Sequence, residues 1–167
     1  MERGEKADLH GIQVGVGTLL TLKLYDWIKT ITPSRDTAMS AMAAFDPVAW
    51  EQMVRRIFGK TAPQILQIEA KTGKNDPVKH EARLNRILEN WDEIRAVMDR
   101  ELPETAEMEA LMRRLGMPMT PADLGISEAD AKDAFTGARE IRDKYLSCSM
   151  LWDLGLTEEA RSRVHGS

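Results

Sequence analysis

"DPVKHEARLNRILENWDEIRAVMDR", residues 76–100, decides the fold class. It opens with Asp76-Pro77, a side chain that can cap free amides before a proline suited to the first helical position. Leu84, Ile87, Leu88, Trp91, Ile94 and Met98 then recur at steps of three and four, which places them along one face of a helix. Lys79, Arg83, Arg86, Glu89 and Glu93 occupy much of the opposite face. The stretch reads as one long amphipathic helix over 77–101.

The same grammar recurs outward in both directions. Asp46-Pro47 and Thr120-Pro121 repeat the cap-and-proline start, and Thr61 with Gln64 has the spacing of a capping box. Gly59, Gly73 and Gly116 supply stops. Trp50, Met53, Val54, Ile57 and Phe58 form a second stripe, and Met108, Leu111, Met112 and Leu115 a third. Ala131, Ala134, Phe135, Ala138 and Ile141 form a fourth, with Met150, Leu151 and Leu154 closing the set. Strand-like alternation is nowhere sustained. Helices are expected near 9–30, 34–44, 47–58, 62–72, 77–101, 104–115, 128–144 and 147–164, with a short turn at 121–124. The chain reads as an all-α multi-helix bundle, a single domain over 1–167.

Composition narrows the function. Apolar residues are 43% and charged residues 30% of the 167, enough for a packed core and unlike a disordered chain. The formal charge of −4 gives no footprint for a phosphate backbone, so no nucleic-acid partner is expected. The apolar run from Ile12 to Ile28 is broken by Gln13, Lys23 and Asp26, so no membrane span is expected. The charged start "MERGEKADLH" has no apolar secretory core, and the one cysteine, Cys148, excludes an internal disulfide and a cysteine-rich zinc cage. A cytoplasmic location follows as the expectation. Cys148 reads as a small buried hydrophobe.

Three histidines remain. His80 reads as a solvated or groove-lining residue, and His165 as part of the tail. The runs "ENWDEIRAVMDRELPE" and "EIRDKY" read as solvated helix faces. "GVGT" at 15–18 lacks the preceding strand and following lysine of a phosphate loop. His10 differs from the others. It starts a helix, Asp8 stands two residues away, and Gly11, Gly15 and Gly17 strip side chains from the surface beside it. Such glycines suit close approach of a ligand, or equally a second helix.

"LHGIQVGVGTLLTLKLY", residues 9–25, resembles the start of the helical C-terminal domain of the sn-glycerol-1-phosphate dehydrogenases. These belong to the superfamily of glycerol dehydrogenase, iron-containing alcohol dehydrogenase and dehydroquinate synthase. "GMPMTPADLGIS" at 116–127 and "AREIRDKYLSCSMLWDLGL" at 138–156 resemble that domain's closing helices, so the likeness spans nearly the whole chain. The resemblance implies the metal-binding half of a two-domain, NAD(P)-dependent enzyme interconverting dihydroxyacetone phosphate and sn-glycerol 1-phosphate. It implies zinc or nickel held by an aspartate and two histidines, with His10 matching the second histidine. The other ligands and the glycine-rich nucleotide loop would precede Met1. Whether this chain is itself an enzyme therefore stays open. It is expected to be inactive alone, with no catalytic or nicotinamide-binding residues of its own and an exposed cleft face around Gly11, Gly15 and Thr18. The partner implied is a nucleotide-binding N-terminal half, or a second copy in a homodimer. The alternative is a non-catalytic helical interaction or oligomerisation module derived from such a domain.

Overall fold

A computed structural model describes residues 10–163, and every described element is helical. In chain order these are α1 (His10–Lys29), α2 (Arg35–Ala43), α3 (Pro47–Phe58), α4 (Ala62–Thr72), α5 (Pro77–Glu89), α6 (Trp91–Glu101), α7 (Thr105–Arg114), α8 (Glu128–Ala138), α9 (Ser147–Asp153) and α10 (Thr157–Arg163). Short 3₁₀ turns at Gly59–Thr61 and Ala122–Leu124 complete the set. No helix among the described residues is long and apolar enough to cross a membrane.

The proline starts behave as their chemistry requires. Asp46 Oδ1 accepts from the amides of Val48 (2.8 Å) and Ala49 (3.2 Å), and Asp76 Oδ1 accepts from Val78 (2.8 Å) and Lys79 (3.0 Å). At Thr120-Pro121 the start leads only to the second 3₁₀ turn, where Thr120 Oγ1 accepts from Asp123 N at 3.2 Å. Thr61 and Gln64 do not form the expected capping box. The Thr61 hydroxyl instead donates back to the Phe58 carbonyl at 2.8 Å, because the 3₁₀ turn at 59–61 brings that carbonyl within reach. Gly59, Gly73 and Gly116 take positive φ at the three expected stops.

Three long helices expected from the sequence are shorter or divided. The first breaks at Asn90, whose side-chain amide donates to the Arg86 carbonyl at 2.8 Å and competes with the helical ladder there. Trp91, just beyond the break, is tied by its indole N–H to the Ile31 carbonyl at 3.2 Å. The second, expected to reach 144, stops at Ala138. The Lys74 ammonium donates to the carbonyls of Arg139, at 2.7 Å, and of Arg142, so those acceptors are satisfied without further helix. The third divides at Gly155, where φ is +73°. Gly155 N donates to Trp152 O (3.0 Å) and Leu156 N to Leu151 O (2.8 Å), the paired bonds that close a helix on a left-handed glycine.

The core falls into three clusters. The largest joins Leu24 and Ile28 of α1, Leu84 and Ile87 of α5, Trp91 and Met98 of α6, and Met150, Leu151 and Leu154 around α9. A smaller one packs Val16 and Leu19 of α1 against Met112 of α7. The third packs Val54 of α3 on Ala62 and Ile65 of α4. One stripe is only partly used: Met112 is buried, but Leu111 and Leu115 are exposed. On α8, Ala134 is exposed, as is Ile141 beyond the helix end.

Candidate functional site

The N-terminal end of α1 carries the residue that the sequence singled out. His10 is the first residue of α1 and is exposed. A side chain added at Gly11 or Gly17 would meet nothing within 4 Å, so that helix end is open. Gly15 is different: a Cβ there would lie 2.7 Å from Met117 Cε and 3.7 Å from Met112 Cε. It serves close packing of the methionine cluster, not the approach of a ligand, and the expected open face around Gly11, Gly15 and Thr18 is closed at its middle. Among the described residues no group of three or more His, Cys, Asp and Glu side chains could hold a metal ion. A catalytic metal generally takes about three protein ligands, so the described residues do not by themselves fit one. Asp8 and His165 lie outside the described residues.

A second polar concentration stands where α5, α8 and α9 meet. His80 is 1% exposed and lines a cavity, so of the two expected readings it is groove-lining and not solvated. Asp76 starts α5 one turn earlier, and this turns His80 inward against α9. Its Nε2 lies 2.9 Å from the Asp153 carbonyl oxygen. A carbonyl can only accept, so Nε2 carries a proton and donates, while Nδ1 has no hydrogen-bond partner. The imidazole stands edge-on to Trp152, with ring centres 5.4 Å apart and planes at 89°. Phe45 meets the same indole edge-on at 5.8 Å, and the Arg139 guanidinium lies over it, 3.9 Å from the ring centre.

Asp153 anchors the reverse side. Its carboxylate, 1% exposed, accepts from Arg83 Nε and Nη2, each at 2.8 Å, and from the Tyr145 hydroxyl at 2.8 Å. Burial opposes the Arg83 charge, but Asp153 outweighs it and holds the guanidinium above its ordinary pKa. Burial and the neighbouring Asp153 push the Tyr145 phenol far above its ordinary range, so it stays protonated and donates. Burial lowers the Lys74 ammonium below its ordinary value. This side is a saturated structural knot.

The front side is not saturated. Arg139 and Glu140 are 5% and 3% exposed. The run "EIRDKY" is exposed over residues 141–145, as expected, and departs from a solvated face only at Glu140. The chain leaves the helix at Ala138, and this turns both side chains inward. They pair through one hydrogen bond, Arg139 Nη1 to Glu140 Oε1, at 2.7 Å. Both line a cavity of about 400 Å³ with Trp50, Met53, Phe45 and Trp152. Among the described residues four buried side-chain polar atoms lack a hydrogen-bond partner. Three of them (Trp50 Nε1, His80 Nδ1 and Thr157 Oγ1) belong to residues of this wall, so polar demand concentrates here. Cys148 also borders the cavity, and burial raises its thiol pKa, which disfavours the thiolate.

No family model matches the chain, and no curated protein or solved structure matches it.

Sequence reading placed weight on His10 and missed the cluster at His80, Arg139, Glu140 and Trp152. Two signals were available: Gly155 as a helix stop within 147–164, and Arg139-Glu140 just past the small residues Gly137 and Ala138.

Proposed function

We propose that this chain is the helical domain of an NAD(P)-dependent, metal-containing sn-glycerol-1-phosphate dehydrogenase. In that reading His10 supplies one ligand to a zinc or nickel ion, and groups outside the described residues supply the rest. A nucleotide-binding half completes the enzyme. The observation that carries the reading is the motif itself, His10-Gly11-x-x-Val14-Gly15-x-Gly17-Thr18, falling on an exposed helix start. The core does not need His10, in contrast to His80, which packing consumes. Gly11 and Gly17 leave the adjoining surface clear for a second domain. No chemical step is assigned to the chain alone.

The test is reconstitution. The 167-residue chain is supplied with zinc or nickel, NADH or NADPH, and dihydroxyacetone phosphate, and nicotinamide absorbance is followed. The expected outcome is no turnover alone, and turnover on adding the nucleotide-binding domain of a glycerol-1-phosphate dehydrogenase. His10→Ala should abolish that gain. Turnover by the chain alone, or no complex and no activity with the added domain, overturns the proposal.

A further inference from the structure

We infer that the cavity bounded by Arg139, Glu140, Trp50 and Trp152 is a binding site for a small zwitterion with an apolar side chain, an apolar α-amino acid. The site is independent of the dehydrogenase reading and lies away from the α1 helix start.

The argument begins with an incomplete ion pair. A guanidinium has five N–H donors and a carboxylate has two oxygens. Among the described residues the Arg139 side chain makes one hydrogen bond, to Glu140 Oε1, while Glu140 Oε2 takes no protein donor. Neither the remaining guanidinium nitrogens nor Oε2 is among the sealed, unpartnered atoms, so they keep some accessible surface, and both residues line this cavity. A buried pair held by one hydrogen bond recovers little of its desolvation cost unless further partners complete it. The Arg139 position is fixed from outside the pair: its side chain is stacked on Trp152, and its carbonyl is held by Lys74. The donor fork is thus pre-oriented.

Charge selects the ligand class. The pair is neutral, so a lone anion or a lone cation would add an uncompensated charge beside two buried side chains. A zwitterion adds none. Its carboxylate suits the free donors of Arg139, and its ammonium suits Glu140 Oε2. Asp46 and Glu158 also border the cavity, but Asp46 caps α3 and Glu158 accepts from Arg161, so neither offers a free charge to a lone cation, and both disfavour a simple anion. The rest of the wall, with Phe45, Trp50, Met53 and Trp152, offers apolar surface to a side chain. A volume of about 400 Å³ falls within the range of small-molecule sites.

The experiment titrates the full chain, without metal or nicotinamide, with L-leucine and with L-phenylalanine, reading heat and tryptophan fluorescence. Two analogues on the same protein separate the charges: leucinamide lacks the carboxylate, and 4-methylpentanoate lacks the ammonium. Saturable binding of at least one amino acid is expected, with the leucine analogues weaker than leucine by about tenfold or more if leucine binds. Glu140→Gln should weaken the amino acid while leaving the circular-dichroism spectrum unchanged. No saturable binding of either amino acid overturns the inference. Leucinamide or 4-methylpentanoate binding as tightly as leucine also overturns it, since the site would then read one charge only.

Discussion

At the scale of single residues, His10 and His80 differ in what holds them: His10 is exposed at the start of α1, and His80 is buried against α9. His80 lies between Lys79 and Glu81, charged neighbours that mark a solvated turn, yet helical geometry sends its side chain to the opposite side and into α9. His80→Ala removes a buried ring and its bond to the Asp153 carbonyl. An expected loss of about 2–4 kcal/mol in chemical denaturation follows, and a loss below half a unit would mean that the site relaxes freely. His10→Ala should change stability by less than about 0.5 kcal/mol, because an exposed first-turn side chain carries no packing. A large drop in its melting temperature would instead assign His10 a structural part.

At the scale of elements, helix ends govern which faces meet. Gly155 makes this concrete. Its φ of +73° is unfavourable for any residue with a Cβ, and a Cβ there would lie 2.8 Å from Ala41 Cβ and 3.0 Å from the Thr37 carbonyl. Left-handed strain of about 1–2 kcal/mol adds to overpacking of about 1–3 kcal/mol. Gly155→Ala should therefore cost about 2–5 kcal/mol, read by thermal or denaturant unfolding. Gly125, at φ +68° with nothing within 4 Å, is the control, and Gly125→Ala should cost only about 1–2 kcal/mol. Equal costs at the two sites would show that the contact with α2 does not matter. The α3–α8 junction gives a pH signature. Arg56 donates to Asp133 and holds its carboxyl below the ordinary carboxylate range, although burial partly opposes this. A depressed folded pKa contributes stability above the unfolded value, and that contribution is lost as pH falls through the folded one. The stability gap between wild type and Asp133→Asn, at most about 1 kcal/mol for so exposed an arginine, should hold from neutral pH to about 4 and close below it. A gap that widens in acid would contradict the assignment.

At the scale of the whole molecule, three clusters of unequal size share one chain, and α1 links two of them. The α1–α7 cluster has three fully buried members, Val16, Leu19 and Met112, and Leu111 and Leu115 beside it face outward. Fewer buried contacts imply cheaper local opening. Amide exchange should therefore be faster across residues 105–124 than across α5 and α9, which belong to the large cluster. Uniform protection across both regions would indicate a single cooperative unit.

The stripe from Leu84 to Met98 and the caps at Asp46 and Asp76 already determined an all-helical chain, because period and capping are local properties. The stops at Gly59, Gly73 and Gly116 were legible for the same reason. The sequence alone also marked His10, through a motif of adjacent residues. Tertiary structure decided the rest. Helix α8 ends early because Lys74, sixty-five positions before Arg139, takes its carbonyl, and no local pattern encodes such a bond. The burial of His80, Arg139 and Glu140 likewise depends on three elements converging. Their side chains look solvent-facing in sequence because charge and polarity report an average preference. Only the packed fold sets which polar groups are enclosed, what pairs with them, and which of their hydrogen bonds remain to be made.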